Sequence, residues 1–68
     1  MKDRKGNPVN VGSIITMTLW HTAGGWAEKM VEECEVLKID GKHFDAKVIS
    51  TGYINKNIPE KSIKRVVR

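Results

Sequence analysis

Trp26-Ala27-Glu28-Lys29-Met30-Val31-Glu32-Glu33-Cys34 is the stretch whose conformation decides the fold. Ala27, Met30, Val31 and Cys34 fall at helical spacing, and apart from Val31 and Cys34 the residues are good helix formers. As a strand, the stretch puts Met30, Glu32 and Cys34 on one side and Val31 and Glu33 on the other, a poorer pattern. The residues downstream favour the strand. Glu35-Val36-Leu37-Lys38-Ile39 and the run His43 to Ile49 flank Asp40-Gly41, a pair that supplies the positive φ of tight two-residue hairpin turns. On the second arm Phe44, Ala46 and Val48 share one face, which reads as core. Residues 26–34 lie so close to Val36 that one long bent strand from about Lys29 to Ile39 is expected. A helix near 26–34 would instead make the chain an α+β roll.

The two ends of the chain frame this hairpin. Gly6-Asn7-Pro8 is a turn cluster, because Gly and Asn tolerate positive φ and Pro cannot enter a central ladder. Gly12-Ser13 then leads into Ile14-Ile15-Thr16-Met17-Thr18-Leu19, rich in β-branched residues, with Ile14 or Ile15 closing one end of the core. Residues 51–57 read as a loop or a short hairpin rim. Ile58-Pro59-Glu60-Lys61-Ser62 forms a tight turn with φ fixed by Pro59, and Ile63 to Val67 makes the closing strand. A polar turn before the first strand and a short turn before the last are features of small SH3-like (Src-homology-3-like) barrels. The expectation is therefore an all-β, SH3-like barrel of about five strands, forming one domain over residues 1–68.

Specific residues carry a family resemblance. Asp3-Arg4-Lys5-Gly6-Asn7 with Val11-Gly12-Ser13-Ile14 resembles the opening of the PhnA-type C-terminal domain. Gly41 to Val48, then Ile58, Ser62, Ile63 and Lys64-Arg65, resemble its second half, and KOW and other small barrels of transcription and translation share the plan. The chain departs from the pattern at Gly12-Ser13, where the family has Gly-Asp, and Trp20 to Trp26 has no counterpart. The resemblance implies an SH3-like barrel and leaves activity open, since folds of this kind host many functions.

Composition narrows the function classes. Only about 60% of the unfolded surface of so short a chain is buried on folding, so the core is thin. A lone cysteine, Cys34, excludes an internal disulfide and suits a reducing, cytoplasmic setting. His21, Cys34 and His43 match no structural zinc spacing, and no metal or cofactor is expected. The apolar run around Ile14 to Trp20 is too short for a membrane span, and the N-terminus lacks the order of a signal peptide. Ser13, Thr51 and Ser62 have no paired base and Cys34 sits in an acidic run, so no enzyme chemistry is expected.

The net charge of +4 is unevenly spread. Lys2, Arg4 and Lys5 lie near the start and Lys56, Lys61, Lys64, Arg65 and Arg68 near the end, while residues 27–45 carry Glu28, Glu32, Glu33, Glu35, Asp40 and Asp45. If the first and last strands pair, the basic segments meet on one side and a polyanion is the natural partner. The loop from Trp20 through His21, Gly24 and Gly25 to Trp26 is the best site candidate, because Trp offers a large flat face for a base or a peptide. At least one of its tryptophans should plug the core, with Trp26 the exposed one.

Two functions fit. In the first, Trp26, His21, Trp20 and Tyr53 stack bases of RNA or another single strand, while Lys5, Lys56, Lys64, Arg65 and Arg68 neutralise phosphate; no recognition helix points to duplex DNA. In the alternative, the chain is a protein-interaction module that docks on a larger protein, a reading favoured by the acids around Glu32, Glu33 and Glu35.

Overall fold

Residues 26–34 are strand throughout. The computed structural model describes the backbone of residues 1–68 and all side chains except those of residues 21–23. Strand β1 (Ile14–Ala23) runs into β2 (Trp26–Asp40) through Gly24-Gly25, with an unbroken register from Ala23 opposite Trp26 to Ile14 opposite Glu35. Gly24 and Gly25 have φ of 61° and 85°, the positive pair that a type I′ turn requires. Helix propensities differ by only a few tenths of a kcal/mol per residue. Pairing with the β-branched β1, nucleated by this turn, overrides them, and the α+β alternative does not form.

Strand β3 (His43–Val48) returns along β2, β4 (Ile54–Pro59) along β3, and after a 3₁₀ turn at Glu60–Ser62 the short β5 (Arg65–Val66) pairs with β1. The result is an all-β fold, a five-stranded antiparallel sheet in the order β4-β3-β2-β1-β5, which fits the small β fold expected from the sequence. Among the described residues no backbone ladder joins β4 to β5, so the sheet curls without closing by hydrogen bonds. Bulges at Leu37 in β2 and across from Asp45 in β4 provide the bending.

The core is made by Ile15 and Met17 of β1, Cys34 and Val36 of β2, and Phe44, Ala46 and Val48 of β3. Val9 and Ile63 plug its end from outside the strands. Of the two isoleucines, Ile15 is fully buried and Ile14 half-buried. Burial, aided by the charge of Glu32, pushes the Cys34 thiol up to about 11, which keeps it protonated.

Three local expectations are corrected. The hairpin turn is Gly41-Lys42, with Asp40 paired to His43; Gly41 at φ 61° supplies the positive first position. Residues 54–59 form a strand rather than a loop, because Ile54, Asn55 and Ile58 find partners on β3. The stretch from Trp20 to Trp26 is likewise no long loop, only two strand ends and a two-residue turn.

The two chain ends are joined through Asp3. Its carboxylate accepts backbone N–H groups from Lys5 (2.9 Å), Asn7 (2.8 Å) and Val66 (3.0 Å), and the Asn7 side-chain amide at 3.0 Å. Burial alone would raise its pKa, but the donors outweigh it and hold the group at about 2, below the ordinary 3.8. Gly6 at φ 85° closes the turn, and the Val9 N–H reaches the Met1 carbonyl at 2.7 Å.

A carboxyl held low in the native state adds stability above its unfolded pKa, and that stability is lost as pH falls towards the native value. Denaturation midpoints should therefore drop as pH falls from 3.8 towards 2, and Asp3→Asn should lower the midpoint at neutral pH while flattening this acid limb. Asn57 offers a second test. It holds φ 57° in the β4 bulge, with its N–H on the Asp45 carboxylate at 3.0 Å. Asn57→Val should cost about 1–2 kcal/mol in urea unfolding, whereas Asn57→Gly should stay within roughly 0.5 kcal/mol of the parent.

Candidate functional site

Beyond the point where β3 and β5 cease to flank them, β1 and β2 continue as a two-stranded arm from about Met17 and Glu32 to the Gly24-Gly25 tip. The arm contributes to the elongated outline of 37 × 21 × 19 Å. Two-stranded ribbons are marginal in water, and this one is braced at its base. The Ser50 hydroxyl donates to Glu32 at 3.0 Å and the Ile49 N–H donates to the Glu33 carbonyl at 3.0 Å. Farther out, the Lys29 ammonium sits 5.0 Å from the Trp20 ring centroid, directly across the ladder. Such a contact contributes about 0.5–1 kcal/mol at an exposed position.

Neither tryptophan enters the core. Trp20 is 66% exposed and Trp26 is 64% exposed, contrary to the expectation that one would be buried. The reason is space: Phe44, Ile15, Met17, Ile63 and Val9 already fill the interior, and the arm carries both indoles past its edge. The Trp26 indole lies over the turn, where a Cβ at Gly24 would stand 3.6 Å from its Nε1.

Where the sheet fails to close, a groove runs between β1 on one side and β4 with the 3₁₀ turn on the other. Its first part, about 430 Å³, is lined by Leu19, Trp20, Val48, Thr51, Tyr53 and Asn55. Leu19 and Asn55 also line the next part, about 270 Å³, with Met17, Thr18, Lys56, Asn57, Ile58, Pro59 and Ser62. Thr18 and Ser62 in turn line a third part, about 310 Å³, with Arg4, Lys61 and Lys64. These shared residues link the three parts in order from an aromatic end to a basic end.

The wall residues of all three parts include Arg4, Lys56, Lys61 and Lys64 but no carboxylate. The acids are held elsewhere. Asp3 is inside its turn, Glu60 accepts the Lys2 N–H at 3.0 Å, Asp45 caps the β4 bulge, and Glu33 and Glu35 stand opposite Thr16 and Ile14 on the outer face of β2. Glu32, opposite Met17 on the inner face of β2, is held by the Ser50 hydroxyl, so the acids of β2 are divided between its two faces.

Of the residues singled out from the sequence, Trp20, Tyr53, Lys56 and Lys64 line the groove. Trp26 stands at the arm's tip, and the side chain of His21 lies outside the described residues. Lys5, Arg65 and Arg68 are exposed and do not line these parts. Arg4, Lys61, Thr18, Ser62 and Lys29 were missed as site residues. Their charges are visible in the sequence, but what joins them is the pairing of β1 with β5 and the turn pinned by Asp3.

No protein-family model, curated protein or solved structure matches the chain. Among the described residues no helix is long and apolar enough to cross a membrane.

Both indoles should behave as solvent-exposed. In native protein, iodide should quench nearly all tryptophan emission, and Lys29→Gln should alter the part arising from Trp20 while changing the unfolding free energy by no more than about 1 kcal/mol.

Proposed function

We propose that the chain is a small nucleic-acid-binding module that takes single-stranded RNA or DNA along the open seam of its sheet. The observation that carries this reading is the groove itself, with stacking surfaces at Trp20 and Tyr53, cations at Lys56, Lys61, Lys64 and Arg4, and no carboxylate among its wall residues. Single strands suit it because every base has a flat face to stack and the walls need not read base edges. Phosphate neutralisation by a few cations provides affinity without sequence preference. The resemblance to small barrels of transcription and translation points the same way.

A second reading rests on a different observation. The arm has open strand edges and exposes Trp26, Met30 and Val31, which fits a protein-interaction module that adds a partner's strand. Substitutions separate the two, because Trp26 and Val31 do not line the groove.

Titration with mixed-sequence single-stranded RNA should quench tryptophan emission to saturation. The logarithm of affinity should fall against that of salt with a slope of about −2 to −3, as three or four phosphate contacts give. Trp20→Ala or Tyr53→Ala should each cost about 1–3 kcal/mol of binding, and Val31→Lys should leave it intact. Absence of quenching at low salt and high RNA concentration would sink the nucleic-acid reading.

A further inference from the structure

We propose that the basic end of the groove is a subsite for a terminal phosphate, the phosphomonoester that ends an RNA or DNA strand. The inference rests on the single-strand reading of the groove and names the strand feature it selects. Arg4, Lys61 and Lys64 meet there with the hydroxyl-bearing Thr18 and Ser62 around about 310 Å³, and no carboxylate shares the wall. Three like charges repel one another unless an anion sits among them.

Their backbones are fixed from separate parts of the chain. Arg4 follows the Asp3 carboxylate, which is tied to the Val66 N–H at 3.0 Å, and its Nη2 lies 3.5 Å from the Lys61 carbonyl. Lys61 and Ser62 belong to the 3₁₀ turn, the Lys64 N–H donates to the Thr16 carbonyl at 2.8 Å, and Thr18 is on β1. The acids next in sequence to Arg4 and Lys61 keep their charge but are turned to other donors, Asp3 to its own turn and Glu60 to the Lys2 N–H.

The donor set matches a monoester better than a diester. A phosphomonoester carries roughly −1.5 to −2 charge near neutral pH and three free oxygens, whereas a bridging diester carries a single charge on two. An arginine fork and two ammonium groups can use all three oxygens, and two hydroxyls add donors that cost no further repulsion. The position fits as well. The basic part shares Thr18 and Ser62 with the middle part, so a strand that enters past Trp20 and Tyr53 and follows the seam would bring its end group to this cluster.

The test compares one short uridine oligonucleotide with a 5′-phosphate, with a 3′-phosphate, or with hydroxyls at both ends, at constant ionic strength, by tryptophan quenching of the full chain. One phosphorylated form should bind about tenfold tighter than the hydroxyl form, the gain of one added charge-assisted hydrogen bond. Which end is preferred gives the strand's direction. Arg4→Gln with Lys64→Gln should weaken all three forms but abolish the difference between phosphorylated and hydroxyl ends, and Arg4→Lys should restore part of that difference. Equal affinity of all three forms, with salt-dependent binding retained, overturns the terminal subsite and leaves the single-strand reading standing. No binding of any form overturns both.

Discussion

One carboxylate holds the chain's ends together. Asp3 gathers donors from its own turn and one from β5, so the segment before β1 is fastened to the last strand. Three consequences depend on that bond set. Val9 is carried into the core, Arg4 is brought to the 3₁₀ turn, and β5, only two residues long, gains an anchor beyond its pairing with β1. An ionised acceptor suits this task, because charge-assisted bonds are stronger than neutral ones and a thin core has little stability to spare.

The same shortness of β5 explains why there is a groove at all. A longer last strand could pair with β4 and close the barrel. Here Pro59 and the 3₁₀ turn draw the chain away, leaving a seam between β1 and β4. The seam is walled on one side by residues near the chain's basic end and floored by the apolar face that Met17 and Leu19 extend from the core. Alternation along β2 divides its acids: Glu33 and Glu35 face outward because Cys34 and Val36 face in, whereas Glu32 shares the inner face and is held by Ser50.

Much of this architecture was legible because it is written in local chemistry. Phe44, Ala46 and Val48 announce a core face by strict alternation, Gly24-Gly25 permits a tight reversal, and Asp3 through Asn7 has the composition of a turn. Where competing signals were balanced, as at residues 26–34, the neighbouring strand rather than propensity settled the outcome. The aromatic residues misled for a physical reason. A large apolar ring is usually worth most in the interior, but an interior this small is filled by Phe44 and aliphatic side chains, and both indoles were left to the arm. The site was legible only in part, through Trp20, Tyr53, Lys56 and Lys64. Its other half, Arg4 and Lys61, becomes a site only when distant segments meet, and no spacing rule encodes that meeting.

Sequence separation also ranks the parts of the fold by the chain entropy they cost. The β1–β2 and β2–β3 hairpins close through two-residue turns, whereas the bond from Val66 to Asp3 spans nearly the whole chain. An opening that frees only the first and last segments leaves the hairpins paired yet dismantles the basic end of the groove. On the proposed reading, occupancy of that end and closure of the chain would be thermodynamically linked: a bound anion would tighten the seal between the termini, and a loosened seal would weaken the anion's hold.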